Sequence, residues 1–295
     1  MIHQQKSFES HSVGTLYLVP TPIGNLEDMT YRAVHILQSV DIIASEDTRH
    51  TQKLLNHFSI HTPQKSLHEH NVLERVPQLV ELLQKGANIA QVSDAGMPSI
   101  SDPGHELVQA CIAQGIPVVS LPGASAGLTA LIASGLSPKQ FYFHGFLPRK
   151  KQEQVALFQH LLIKEETLIF YESPFRIKKT LHAMAEVFHH KRQVVLCREL
   201  TKRHEEYIRG HLSDLIEWAE THEIKGECCV LVSGCLPEEK QDNLDTQKMP
   251  EYLSIIDQVA WVMEKEQLSQ KDAIKKVAKY LGKTKQDIYK IVHGG

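Results

Sequence analysis

Long apolar runs are missing from this 295-residue chain. No stretch of about 18 apolar residues occurs, which excludes a transmembrane helix. The first residues, MIHQQKSFESHSVG, have no apolar centre. They read as a loose tail over 1–13, not as a signal peptide. Cysteine is sparse: five residues, at 111, 197, 228, 229 and 235, none in Cys-x-x-Cys spacing. An odd count without ligand spacing fits a reduced, cytoplasmic protein with no structural metal. Signature motifs are absent too. No G-x-G-x-x-G follows the first apolar run, and Gly282-Lys283-Thr284 has no partner glycine five residues upstream, so neither the dinucleotide fingerprint nor a P-loop is present. There is no H-E-x-x-H, no G-x-S-x-G, and no ligand spacing among the 18 histidines.

What is present is an alternation. Short apolar runs at 16–19, 41–44, 89–92 and 117–121 read as buried strands, and amphipathic segments between them read as helices. Each run ends in a loop rich in Pro, Gly and small polar residues: 20–25, 45–49, 93–104 and 121–126. The longest of these is organising. VSDAGMPSISDPG leaves the run Ile89 to Val92 and is stiffened by two prolines, with Asp102 and Pro103 in the places of an N-cap and a first helical residue. A helix is expected from about Thr51. Ser137-Pro138-Lys139 reads as a linker to a second unit with strands at 141–143, 167–171, 194–197 and 228–232, and with Tyr207-Ile208-Arg209 as hairpin partner of the third. Ser173-Pro174 is expected to open a helix in the manner of Asp102-Pro103. A polar linker follows. The C-terminal region is helical, with Ser269/Asp272 and Thr284/Asp287 as capping boxes of the acid type around Gly282. These two short helices suit either a helix-turn-helix or plain helical packing.

The expected fold class is therefore α/β: an N-terminal α/β domain over 14–136, a second over 137–236, a linker over 237–249 and a helical region over 250–295. The net charge of −3 is unevenly spread. Residues 144–211 carry 13 basic and 8 acidic groups, whereas 1–143 carry 8 and 12. A local basic excess suits an anionic partner or a solvated face.

Seven segments, LVPTPIGNLEDMTYRA, ASEDTRHT, VSDAGMPSISDPG, LPGASA, HGFLPR, FYESPFR and CRELTKRHEE, occur in this order over about residues 14–234. Together they resemble the ribosomal RNA small subunit methyltransferase I group of the tetrapyrrole methylase superfamily, the class III S-adenosylmethionine-dependent methyltransferases. The resemblance implies a cofactor cleft between two α/β domains, a homodimer, and 2′-O-methylation of a cytidine ribose near the decoding centre of 16S ribosomal RNA in the small subunit. The superfamily's first loop is usually G-x-G-P-G-D. Here it is Pro20-Thr21-Pro22-Ile23-Gly24-Asn25, which resembles the RNA-modifying branch. A precorrin-type small-molecule methyltransferase and a non-catalytic ribosome-binding protein are the competing readings.

The residues agree with such a cofactor. Asp94 offers a carboxylate for an ammonium or ribose hydroxyls, Gly96 a close backbone approach, and Pro122-Gly123-Ala124-Ser125 helix N-terminal amides. The candidate cofactor set is Pro22, Gly24, Asp94, Ala95, Gly96, Ser99, Ile100, Ser101, Pro122, Gly123, Ala124, Ser125, Tyr171 and Glu172. A ribose hydroxyl must lose its proton, and Glu46 and Asp47, beside Arg49, are the catalytic candidates, with Glu172 and Arg176 as a second pair. The candidate RNA contacts are Arg149, Lys150, Lys151, Arg176, Arg198, Lys202 and Arg203.

Overall fold

The structure, a computed structural model, describes residues 4–7, 12–237, 239–240 and 253–293. It forms two compact units, one up to Gly234 and one from Cys235.

The first unit holds two five-stranded sheets. In the first, β1 (Leu16–Leu18), β2 (Ile42–Ser45), β3 (Gln64–Ser66), β4 (Ile89–Val92) and β5 (Val118–Ser120) lie in the order β3-β2-β4-β1-β5, and every recorded pairing is parallel. Such strands need helices on their faces. These are α1 (Tyr31–Ser39), α2 (Thr48–His57), α3 (Val72–Gln84), α4 (His105–Ala113) and α5 (Ala126–Ser134). Leu79, Leu83 and Leu107 pack on one core, Leu37 and Leu55 on another, and all five are buried. β4 is buried at every position: Ile89, Ala90 and Val92 are apolar, and the buried Gln91 side chain donates to the Ser99 hydroxyl. β3 has no such signal: Gln64-Lys65-Ser66 is a polar edge strand, visible only through its pairing with β2.

The second sheet is mixed. β6 (Phe141–Phe146) pairs parallel with β7 (Thr167–Glu172), while β10 (Cys228–Val232) runs antiparallel between β7 and β8 (Gln193–Arg198), and β9 (Glu206–His211) is the antiparallel partner of β8. The expected hairpin at 207–209 is thus present. α6 (Lys151–Leu161), α7 (Ile177–Ala185) and α8 (Leu212–Thr221) bury Phe158, Leu181 and Leu215 against Phe170, Leu196 and Val230. The two sheets are stitched together. The Tyr171 hydroxyl accepts a hydrogen bond from the Gly127 amide at 3.0 Å, and the Arg209 guanidinium donates to the carbonyls of Ala133 and Ser134.

Three helix starts differ from the sequence expectation. α2 begins at Thr48, with Asp47 as its N-cap accepting from the Arg49 amide. α4 begins at His105 behind Gly104, not behind Asp102-Pro103. Gly104 has φ of 118°, and a Cβ there would lie 2.0 Å from the Gln91 amide nitrogen. Only glycine gives both the left-handed turn and the room. α7 begins at Ile177, three residues beyond Pro174. In the N-terminal stretch, the Gln5 side chain exchanges two 2.9 Å hydrogen bonds with the Val118 backbone on the β5 edge. The expected linker lies mostly outside the described residues.

The second unit contains α9 (Ile255–Glu266), α10 (Gln270–Tyr280) and α11 (Lys285–His293) around their own core of Val259, Val262, Ile274, Val277 and Ile288. The Thr284/Asp287 box closes, with the Thr284 amide donating to the Asp287 carboxylate, while Ser269 caps α10 through its hydroxyl. The Ser269 and Thr284 hydroxyls bond the Asp272 and Asp287 carboxylates and accept from their amides.

Candidate active site

The parallel strands of the first sheet deliver their loops to one edge, the usual place for a ligand in such sheets. Backbone and side-chain bonds lock these loops together. Thr21 and Gly96 exchange two 3.0 Å backbone hydrogen bonds, and the Thr21 hydroxyl donates to the Ser93 carbonyl. The Asp94 carboxylate accepts from the Asp47 amide at 3.1 Å, and the Glu46 carboxylate accepts from the Asp94 amide at 3.4 Å. Asp94 therefore serves the neighbouring loop and does not fold back on its own. Ser99 and Ser101 hold positive φ of 69° and 64°, a strained shape supported by a hydrogen bond from the buried Gln91 amide to the Ser99 hydroxyl.

Against this edge stands the second sheet, and between them lies a cavity of about 520 Å³. Ten sequence-selected residues line it: Glu46, Asp94, Ala95, Gly96, Ile100, Ser101, Ser125, Tyr171, Glu172 and Arg176. Others do not. Gly24 faces a separate surface groove with Thr201, Lys202 and Arg203, where a Cβ would meet the Lys202 side chain at 2.4 Å. Its small size makes room for Lys202, and it lies outside the cavity lining. Gly123 is similarly required by Pro20, 2.4 Å from where its Cβ would be. Pro22, Ser99, Pro122, Gly123 and Ala124 lie outside the cavity lining, as do Asp47 and Arg49.

Sequence reasoning missed Ile23, Met97, Asp102, Phe146, Leu200, Glu227, Cys228 and Cys229, which also line the cavity. The last three enter because β10 is antiparallel. Cys228 stands opposite both Glu172 at the end of β7 and Arg198 at the end of β8. No local pattern carries that register. Asp102 carries a readable signal, an acid inside the longest loop, but the Pro103 after it gives it the pattern of a helix cap.

The acids differ in their surroundings. Asp47 is paired with Arg49, whose guanidinium Nη2 lies 2.7 Å from its Oδ2 and holds the carboxyl well below the usual range. A carboxylate so stabilised is a poor proton acceptor, which leaves Asp47 less suited to the role of base than the other acids here. Glu46 is pushed up, chiefly by burial. Asp102 is pushed up to about 6 by burial first and then by the charge of Glu46, with a Ser93 hydrogen bond opposing. Glu172 is fully buried and accepts from the Ser173 amide (2.7 Å), the Arg176 guanidinium (2.7 Å), the Thr180 hydroxyl (2.8 Å) and Gln154. Its acceptors are occupied, so it is a structural wall of the cavity and not a free base. Arg176 in turn donates to the carbonyls of Leu147 and Pro148, so the pair holds the loop ahead of Arg149.

The remaining basic candidates are also mostly engaged. Lys150 pairs with Glu153, Lys151 with Glu186, Arg198 with Glu206, and Lys202 with Glu199 and Glu227 at 3.0 and 3.1 Å. Arg149 and Arg203 have no ion-pair partner among the described residues.

The cavity suits S-adenosylmethionine by size and chemistry. Apolar walls (Ile23, Met97, Ile100, Leu200) suit an adenine and a thioether-like chain, and carboxylates suit an ammonium and a ribose diol. The backbone is also close-fitting: a Cβ on Gly96 would lie 3.3 Å from Ile23 and 3.6 Å from the Ala124 carbonyl.

The sequence profile of the Tetrapyrrole (Corrin/Porphyrin) Methylases matches residues 15–216. The chain belongs to this family. A "Ribosomal RNA small subunit methyltransferase I" of Streptococcus pyogenes serotype M3 is 51% identical over 292 residues, covering 98% of each chain. The relative of the same name from Bacillus subtilis (strain 168) is 48% identical over 294 residues, covering 99% of each. Within the tetrapyrrole methylases, this chain therefore belongs with that group. Among solved structures, a cobalt-precorrin-4 methyltransferase of cobalamin biosynthesis has a TM-score of 0.55 at 17% identity, covering 74% of this chain and 94% of its own. A Thermus thermophilus uroporphyrin-III C-methyltransferase complexed with S-adenosylhomocysteine has a TM-score of 0.51 at 14% identity, covering 75% and 97%. At such identities these two share the fold.

Proposed function

We infer that the cavity binds S-adenosylmethionine and that the protein methylates the 2′-hydroxyl of a cytidine ribose in 16S ribosomal RNA. The observation that carries this reading is the near end-to-end match to relatives named for small-subunit ribosomal RNA methylation. The small-molecule alternative has only the shared fold behind it.

Bound S-adenosylmethionine would supply a methyl group already activated on a sulfonium, so the protein's work is placement and proton handling. The ribose hydroxyl that would accept the methyl group would have to give up its proton to a group of this chain. Asp102 is the best-placed acceptor: it lines the cavity, and its affinity for a proton is matched to near-neutral pH. Asp94, tied to the Asp47 amide, positions cofactor groups, and Phe146 with the apolar wall excludes water. The partner is the small ribosomal subunit, in the cytoplasm. A homodimer is part of the same reading, supported by the apolar face that α5 exposes through Leu128 and Ile132.

The test is transfer of a labelled methyl group to small subunits lacking the modification, with the product located by mass spectrometry of nucleosides. A 2′-O-methylcytidine supports the reading. Methylation of precorrins with none on subunits removes it.

A further inference from the structure

The family profile ends at residue 216, and the solved enzymes with corrinoid or porphyrin names leave about a quarter of this chain unmatched. The relatives named for ribosomal RNA match nearly all of it. The helical unit from Ile255 to His293 lies beyond that profile, and its surface is unlike that of the first unit.

Residues 270–293 carry seven lysines and two acids. On α10 the buried positions are Ala273, Ile274, Val277 and Ala278, which leaves Lys271, Lys275, Lys276 and Lys279 exposed. Lys283, Lys285 and Lys290 are exposed as well. The two acids, Asp272 and Asp287, bond the hydroxyls of Ser269 and Thr284, and the charges of Lys290 and Lys283 act on Asp287 without an ion pair. Apart from Lys276, none of the seven has a carboxylate within ion-pair distance among the described residues. Between α10 and α11 runs a groove of about 910 Å³ lined by Lys271, Lys285, Lys290, Gln286, Tyr289 and His293. Tyr289 is about half exposed and stacks at a tilt on His293, with ring centres 4.3 Å apart.

We propose that this unit is an RNA-docking module, whose groove between α10 and α11 seats the phosphate backbone and whose Tyr289 ring receives an unstacked base. Three cations converging on a groove without carboxylates fit a polyanion, and an exposed ring on its floor fits a nucleobase more closely than an acidic peptide. The proposal rests on the reading that the substrate is RNA.

The experiment uses the full chain. The triple variant Lys271→Gln, Lys285→Gln, Lys290→Gln is compared with the triple Lys→Arg variant and with Tyr289→Ala, in binding to a 16S rRNA fragment and to small subunits across a salt series. The expected result for the Gln triple is affinity lower by on the order of 10- to 100-fold near physiological salt, with the log–log salt slope reduced by about 1 per lost contact. The Arg triple should retain both, Tyr289→Ala should lose about 5-fold with an unchanged slope, and all variants should keep wild-type cofactor affinity and single-turnover rate at saturating RNA. Wild-type affinity and slope in the Gln triple overturn the proposal. So does a loss confined to subunits and absent on the rRNA fragment, which points to a ribosomal protein instead. Methyl transfer is scored separately. A wild-type chain that binds RNA through these lysines but transfers no methyl group leaves docking in place and removes the functional reading.

Discussion

Two basic regions, the 144–211 segment and the 270–293 helices, look alike in composition and differ in use. In the first, Lys150, Lys151, Arg176, Arg198 and Lys202 all stand against carboxylates. In the second, the acids bond helix-cap hydroxyls, and the groove lysines make no ion pair among the described residues, although Asp287 feels the charge of Lys290. A cation already neutralised in the fold releases fewer counterions on meeting phosphate. Charge count is therefore a poor guide to an anion-binding face; the pairing state decides. The same contrast separates the acids of the active site. Asp47 has Arg49, whereas Asp102 has only other acids and a serine around it.

The comparison can be broken most severely at Arg176. Arg176→Ala leaves the Glu172 carboxylate fully buried without its cation. Removing one partner of a buried pair typically destabilises by about 3–5 kcal/mol. A chemical denaturation curve should show that loss, and a change below about 1 kcal/mol would mean that Glu172 is not compensated by Arg176.

Next in size is Asp102→Asn, which should slow single-turnover transfer by about 100-fold with cofactor affinity unchanged. The wild-type rate should fall as pH drops through about 6, because the base must be ionised, and the variant should lack that inflection. Stability runs the other way. The folded state raises the Asp102 value from 3.8 to about 6, so its contribution is complete below 3.8 and lost as pH rises through 6. The Asn variant should then match wild type in Tm near pH 4 and exceed it near pH 8. An Asn variant of unchanged rate assigns the proton elsewhere.

Smaller effects sharpen the contrast between the regions. Lys290→Gln alone should lower the RNA salt slope by about 1, measured by filter binding. Lys202→Gln, already held by Glu199 and Glu227, should lower it by less than about half as much. Equal slopes for the two would erase the distinction between paired and unpaired cations. Smallest is Asp47→Asn, which should change the transfer rate by less than about 2-fold, since the residue caps α2 outside the cavity lining.

Much of the fold is legible in the sequence because it is encoded locally. Ile89, Ala90 and Val92 are apolar, and β4 is buried at every position, with the polar Gln91 among them. Thr30, Ser269 and Thr284 cap the helices they precede, since a hydroxyl two or three residues from an orphan amide needs no distant partner. The strand-end loops were found for the same reason: turn residues after an apolar run state where a strand stops. Asp94, Gly96, Ser101 and Tyr171 reached the cavity from such loops and ends. Where two local signals competed, the sequence misled. Asp102-Pro103 has the form of a helix start, but the fold needed a left-handed residue over Gln91, and Gly104 alone fits.

The sequence by itself determined the family, the ten or so elements with strong periodicity, and the loops that carry the candidate chemistry, because each is written in residues within a few positions of one another. The tertiary structure alone decided which charges are free and which face the cavity. Lys151 meets Glu186 from another helix, Lys202 meets Glu227 across a loop, and Cys228 meets Glu172 only through the antiparallel register of β10. Coulomb attraction and desolvation act on distance in space, and a chain's spacing in sequence does not fix that distance until the sheets have paired.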